Sequence, residues 1–491
     1  MGANEASAFL EPMLQQGCVY SDGWKIGHGG ALHVIEPATG ERLAKVGAAS
    51  AADIAPAAQR AKAAQPGWAA LPPRQRAEVF HRAAALFERH FDELALYVTR
   101  ESGAILAKGH HEVREAIEFC RHAGAMVMQP QGQVLPSVPG RLSIARRVPF
   151  GVVGVISPFN FPLVLTLRVV APALAAGNAV VVKPDARTPV SGGLMLAKVF
   201  EAAGLPAGVL HVLPGGAQVG EALVTDPNVP MVSFTGSAGV GRRIGALAGE
   251  GLKKVSLELG GINPLIVLDD ADLDLAASNV AWGAWLHQGQ ICMESNRILV
   301  QAGIAEALTE RLVAKARQLP VGNGATGQVA LGPLIDARQR DRVHAAVQGS
   351  VAAGARLLAG GTYDGLFYRP TVLAGVRPGM PTYDHETFGP VVNLVTFADD
   401  QEAVALASDH PGGLAAGVIS KSVGRAMAIA DRLPAGMVHV NDQTVNDDAI
   451  NPFGGPGIAG NGNTHGGSAD WEAFSTWRWI TVKDTPPAYP F

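Results

Sequence analysis

The sequence predicts an α/β protein: a doubly wound parallel sheet, then a second α/β unit, with a small β element outside both. Three observations predict it. From residue 151 short β-rich runs alternate with helical stretches, the pattern left by strands joined through crossover helices. Residues 151–182 are nearly uncharged, yet Pro158, Asn160, Pro162, Arg168, Pro172 and Gly177 interrupt them. A membrane-spanning helix needs about 20 continuous apolar residues, so this stretch reads as a buried strand, loop, helix and strand. Finally, 491 residues exceed one hydrophobic core and predict two or three domains, and a 48% hydrophobic composition supplies material for large buried sheets.

The elements follow in order. The opening "MGANEASAFLEPMLQQG" has neither a basic n-region nor an apolar h-region, so no signal peptide is read, and Ala6 misses the myristoylation pattern. Ala-rich helical periodicity dominates 51–127. "RLSIARRVPF" (141–150) reads as a strand lying outside the main sheets. Candidate strands of the first sheet are "GVVGVIS" (151–157), "AVVVK" (179–183), "GVLHVL" (208–213), "MVSFT" (231–235) and "KVSLEL" (254–259). Helix-like stretches near 163–175, 190–203, 216–224 and 238–249 separate them, with Gly204-Leu205-Pro206 as a helix stop. The second unit comprises "PLIVLDD", a helix near 272–287, "RILVQ", a helix near 303–317 and "VVNLVTF". "WRWITVKD" (477–484) reads as another outlying strand, and edge strands of this kind invite pairing with another subunit.

Composition narrows the partners. Lys plus Arg is 39 against 43 acids, a net charge of −4, which argues against nucleic acid or an anionic membrane. Three cysteines, at 18, 120 and 292, make no disulfide framework and suit a reducing compartment, so a cytoplasmic protein is expected. No second Cys or His lies at metal-ligand spacing from Cys292, and no metal is expected.

Parallel sheets bind ligands at the carboxyl ends of their strands. Several residues at those ends carry chemistry, and each also has a plainer reading. Asn160, in "SPFNFP", has donors fixed by a rigid loop, as an oxyanion site requires, or it caps a turn. Lys183 ends the second strand, where it reaches a ribose hydroxyl or phosphate, or simply points to solvent. A G-x-G-x-x-G fingerprint is missing. Instead "FTGSAGVG" places Gly236, Ser237, Gly239 and Gly241 at a helix start that favours a phosphate. Glu258, in "SLELGG", is costly inside an apolar strand unless paired or functional; its plainer reading is a sheet-edge Glu facing solvent. Cys292, in "LHQGQICMESN", is by itself a small buried hydrophobe or a nucleophile.

The joint order of these fragments, with "ETFGPVV" (386–392) and "NPFGGPG" (451–457), resembles the aldehyde dehydrogenase superfamily from about residue 30 to the C-terminus. "VAPALAAGN", "GVLHVLPGGA", "LHQGQICM", "GMVHVND" and "PPAYPF" are similar to its NAD-dependent, benzaldehyde-oxidising branch. The resemblance implies an aldehyde dehydrogenase-like fold. In it, 1–126 and 148–257 form the dinucleotide-binding domain, 258–440 the catalytic domain, and 127–147 with 474–491 the oligomerisation strands of a homodimer or homotetramer. It implies that Cys292 attacks an aldehyde, that Asn160 and the Cys292 backbone N–H hold the oxyanion, and that Glu258 activates the hydrolytic water. It places Lys183 at the adenosine ribose, Ser237 with Gly236 and Gly241 at the pyrophosphate, Glu386 at the nicotinamide ribose and Phe388 beside the ring.

Phe161, Arg168, Trp285 and Phe453 fall at tunnel positions, and Arg168 either faces a ring substituent or pairs with Asp442, Asp447 or Asp448. The expected activity is oxidation of an aromatic aldehyde to its acid with NAD. Rivals are broad or aliphatic specificity, and CoA acylation, which has no use for Glu258.

Two positions depart from the family pattern. Lys183-Pro184-Asp185-Ala186 lacks the glutamate that accepts from the adenosine ribose, so NADP is expected to be tolerated, with Arg187 one residue away. Thr464 replaces a second glutamate, a helper in proton relay.

Overall fold

The structure is a computed structural model and describes residues 9–10 and 17–491. Most of the N-terminal stretch read for a targeting signal lies outside the described residues.

Two seven-stranded sheets organise the described chain. The first runs, across its width, Lys254–Leu259, Met231–Gly236, Val152–Ile156, Ala179–Lys183, Leu210–Val212, Cys18–Ser21 and Trp24–Ile26. Its first five strands are parallel, at the positions the sequence predicted. The antiparallel hairpin Cys18–Ser21/Trp24–Ile26 adds an edge the sequence reading did not include. The chain enters at Val152–Ile156, builds outward to Leu210–Val212, and then returns to add Met231–Gly236 on the other side. That reversal opens a crevice beyond the carboxyl ends of the strands. The last strand carries Glu258 and runs to Leu259, two residues past the expected boundary at 257.

Helix Pro162–Ala175 is buried along its whole length, which explains its near-absence of charge. Helices Ile54–Ala70, Pro73–Arg89 and Leu106–Val127 fill the Ala-rich region. Small Ala side chains let helices and sheet approach closely, and Ala57, Ala58, Ala61, Ala83, Ala116 and Ala123 lie in the first core.

The second sheet runs Arg356–Ala359, Thr371–Ala374, Val391–Phe397, Arg297–Gln301, Pro264–Val267, Gly413–Ile419 and Ala435–Val440. It is parallel except at Arg356–Ala359. The two outlying strands pair with each other: Leu142–Pro149 and Ser475–Val482 are antiparallel from Ser475↔Pro149 to Val482↔Leu142, and Gly132–Val134 extends this small sheet. Among the described residues, no helix is long and apolar enough to cross a membrane.

Candidate active site

The loop carrying Cys292 is built by an unusual backbone. Helix Leu273–Trp285 is followed by His287, Gln288 and Gly289 in the left-handed region, at φ 47°, 57° and 66°. Such a conformation costs about 1–3 kcal/mol for each non-glycine residue and persists only where the surroundings fix it. They do. Gln288 Nε2 donates to the Gly103 and Pro333 carbonyls at 2.7 and 2.8 Å, and Gln290 Oε1 accepts from the Ile335 N–H at 3.0 Å. Asn263 Nδ2 donates to the Cys292 carbonyl at 2.8 Å and to that of Glu294 at 3.0 Å, while its Oδ1 accepts from the Ala415 N–H.

Asn160 reaches this loop from the first sheet, four residues beyond strand Val152–Ile156. Its Nδ2 donates to the Gln290 carbonyl at 2.9 Å, which leaves that amide's second hydrogen free. Its own carbonyl accepts from Lys108 Nζ at 2.7 Å. Lys108 forms a fully buried ion pair with Glu112, one turn along helix Leu106–Val127. Glu112 Oε2 in turn accepts the N–H groups of Leu163 and Val164, at 2.9 and 3.0 Å, and caps the helix that follows Asn160. A carboxylate at a helix N-terminus satisfies orphan donors and complements the dipole.

Cys292 packs into an apolar cluster of Ile291, Met293, Leu414, Ala415 and Phe453, with Phe161, Leu286, Met437 and Val445 against it. Burial pushes the Cys292 thiol up, and the carboxylates of Glu386, Asp447 and Glu258 push it further. Glu258 is itself buried with neither oxygen hydrogen-bonded, and burial raises it well above the carboxylate range; Arg168 opposes that rise and Asp447 adds to it.

Arg168 is 3% exposed. Of the partners open to it, the structure selects Asp447: Nη2 lies 2.5 Å from both carboxylate oxygens. Its guanidinium stands over Phe453 at 4.6 Å and Phe119 at 4.9 Å, and Nε and Nη1 have no hydrogen-bond partner. Trp285 is not brought into this cluster. It is 1% exposed in the core of the second sheet with Leu265, Val267 and Ile298. Trp285 was expected at a tunnel position, and the structure gives it a place among core residues of the second sheet.

A second group of residues lines the carboxyl edge of the first sheet. Lys183 ends its strand opposite Ile156, and burial lowers its ammonium. Ser237 is the N-cap of helix Ala238–Glu250 and makes no capping bond with its side chain. At Gly241 a Cβ would strike the Leu259 side chain, so glycine is what lets that helix lie on the last strand. Glu386 rests against Gly260, where any Cβ would collide with its carboxylate; its Oε1 is buried without a partner, and burial pushes it up to about 7. Phe388, at φ 52°, meets Phe159 edge-on at 5.9 Å. Arg187 is already held by Asp185 at 2.8 Å and Asp336 at 3.1 Å, and it stacks over Phe159. Arg187, one residue from Ala186, is therefore not free to meet a 2′-phosphate.

Sequence reasoning missed Asn263, Lys108, Glu112 and His465. Lys108 and Glu112 show the i,i+4 spacing of an ordinary surface pair, and only their flanking apolar periodicity signals burial. Asn263, five residues past Glu258, carries no signal by itself.

Comparison with known proteins adds an independent finding. The model of the aldehyde dehydrogenase family matches residues 24–480. A vanillin dehydrogenase of Amycolatopsis is 53% identical, covering 99% of this chain and 100% of that protein. The NAD(+) benzaldehyde dehydrogenase of Pseudomonas putida is 46% identical over 98% of this chain and 99% of its own. Among solved structures, betaine aldehyde dehydrogenase from Staphylococcus aureus in complex with NAD+ superimposes with a TM-score of 0.94 at 29% identity, covering 99% and 98% of the two chains.

Proposed function

The chain belongs to the aldehyde dehydrogenase family, and from that premise we propose that it oxidises aromatic aldehydes to carboxylic acids with NAD through a thioester on Cys292. The observation that carries this reading is the apolar, ring-bearing cluster closed around Cys292 within electrostatic reach of Glu258. Names of relatives that oxidise vanillin and benzaldehyde point the same way.

Each residue has a task. The thiol is held protonated by burial, so its attack on the aldehyde carbon follows loss of that proton to solvent. Attack puts negative charge on the aldehyde oxygen. The free amide hydrogen of Asn160 and the Cys292 backbone N–H stabilise it, and a donor of this kind is worth about 3–4 kcal/mol of barrier. Glu258, once ionised, takes a proton from water as that water attacks the thioester. Phe161 and Phe453 enclose a flat ring, each aromatic contact adding about 0.5–1.5 kcal/mol beyond area burial.

The residues at the sheet edge fit a dinucleotide. A helix N-terminus with an unbonded Ser237 side chain suits a pyrophosphate, and the orphaned Glu386 Oε1 beside Gly260 suits a ribose hydroxyl. Lys183 would hold the adenosine ribose, Gly236 and Gly241 the turn, and Phe388 the nicotinamide side. Bound there, NAD would supply the acceptor for a hydride leaving the tetrahedral carbon. Because Arg187 is committed to Asp185 and Asp336, a 2′-phosphate would meet the Asp185 carboxylate, and NAD is preferred over NADP by about tenfold or more in kcat/KM. Steady-state kinetics with both cofactors check this, and equal use would contradict it.

An aldehyde panel tests the substrate. Benzaldehyde and hydroxylated benzaldehydes should exceed acetaldehyde and hexanal by at least about tenfold in kcat/KM, which asks for only about 1.4 kcal/mol of differential binding. Hexanal equal to the best aromatic compound would remove the aromatic reading.

A further inference from the structure

Glu258 has an imidazole beside it. Segment 453–465 folds back along strand Lys254–Leu259: Glu258 forms an antiparallel bridge with Gly460, Asn461 Oδ1 accepts the Leu257 N–H at 3.0 Å, and Asn461 and Asn463 both donate to the Val255 carbonyl. His465 is pinned at the end of this segment by reciprocal 2.8 Å backbone bonds with Phe453. Its ring is fully buried and stacks on Phe474 with centroids 5.4 Å apart. Ser256 and Glu258, two apart on the strand, share one face. His465 Nε2 meets both, at 3.0 Å from Ser256 Oγ and 3.7 Å from Glu258 Oε1.

We propose that His465 is a positioning residue for Glu258: its Nε2–H, shared with Ser256, orients the ionised carboxylate toward the thioester and stabilises it there. The inference rests on the assignment of Glu258 as the base in thioester hydrolysis. Neither Glu258 oxygen makes a hydrogen bond, so an ionised form in this site needs a donor, and His465 Nε2, 3.7 Å from Oε1, reaches hydrogen-bond distance with a small movement of the carboxylate. The tautomer follows from the same accounting. His465 Nδ1 has no partner, and leaving a lone pair there costs less than burying an unpaired N–H, so the proton belongs on Nε2. Burial keeps the ring neutral, down to about 4, and it therefore serves as a donor over the working range rather than as a titrating switch. The charged groups bearing on it are Asp470, Arg168 and Lys254; Asp470 also pairs with His122 at 3.2 Å and accepts the Gly466 N–H at 2.8 Å.

The test is the decay of acyl-enzyme, followed by rapid quench and mass spectrometry with NAD and benzaldehyde. H465F keeps the stack on Phe474 and removes the nitrogens. It should retain the wild-type rate of the NADH burst, slow acyl-enzyme decay about tenfold, and move the acid limb of the decay rate to higher pH, as loss of a donor to a charged group implies. H465Q, which restores an N–H, should recover part of the rate, and S256A should lose a smaller part. Should H465F fold poorly, H465Q and S256A carry the same comparison. In an E258Q background H465F should add nothing further. Decay and pH profile unchanged in H465F would overturn the proposal, as would a burst slowed in the same proportion as decay. If E258Q itself hydrolyses acyl-enzyme normally, the base assignment fails. If E258Q is slow and H465F is not, only the role of His465 fails.

Discussion

At the scale of single residues, the protonation state of buried groups sets what the site can do at a given pH. Burial raises both Cys292 and Glu258, and attack by the thiol and activation of water each need the deprotonated form. A raised pKa moves the loss of that form to higher pH. The burst rate should therefore climb from about pH 6 to about pH 9, and stopped-flow measurement of NADH checks the sign. A rate that falls over that range would contradict it. Arg168 makes a separate prediction. Its unpaired Nε and Nη1 lie beside the Phe453 ring, and a ring hydroxyl brought there would satisfy a buried donor. Arg168→Gln should lower kcat/KM for 4-hydroxybenzaldehyde about tenfold more than for benzaldehyde, the size of one hydrogen bond to a charged group. The ratio between the two substrates corrects for any general loss from leaving Asp447 unpaired. The candidate residues were legible because each stands at a strand end or loop in an otherwise apolar run. Trp285 was misread because a Trp near the Cys loop and a Trp in the sheet core leave the same trace in a sequence. His465 was passed over for the neighbouring Thr464, since only the fold shows which of two adjacent residues turns toward Glu258.

At the scale of elements, the Lys108–Glu112 pair ties helix Leu106–Val127 to the start of helix Pro162–Ala175 and to the Asn160 carbonyl. Removing one partner leaves a buried charge uncompensated. Lys108→Met should destabilise the protein by about 3–5 kcal/mol, read from the urea midpoint, whereas Lys108→Met/Glu112→Leu should recover much of that loss. A single variant as stable as the wild type would show that the pair does not hold the two helices. Five strands of the first sheet were readable because parallel strands buried on both faces are short apolar runs with crossover helices between them. The hairpin Cys18–Ser21/Trp24–Ile26 was not, since a polar edge hairpin has no such run. Strands Thr371–Ala374, Gly413–Ile419 and Ala435–Val440 were also missed: Gly413–Ile419 is mostly Ala and Gly, neither of which favours a strand on its own, Ala435–Val440 opens on the same two residues, and Thr371–Ala374 is only four residues long.

At the scale of the whole molecule, the small sheet leaves Val134, Trp479 and Val482 exposed at 75%, 66% and 48%. A three-stranded antiparallel sheet separate from both larger ones, with these apolar side chains exposed, has an unpaired edge that a second copy would cover. A homodimer or homotetramer is proposed on that ground, and light scattering of the wild type against Trp479→Glu checks it: the wild type should be oligomeric and the variant shifted toward monomer. The central claim spans all three scales, because a thioester on Cys292 needs the nucleophile, the loop that holds it and the cofactor crevice together. It is tested most directly by mixing the Glu258→Gln variant with NAD and benzaldehyde and analysing the protein by mass spectrometry after rapid quench. The account predicts about one equivalent of NADH and a benzoyl adduct on the peptide that contains Cys292, with no adduct and no NADH in Cys292→Ala. Wild-type turnover in Cys292→Ala, or an acyl group found on any other residue, would contradict it.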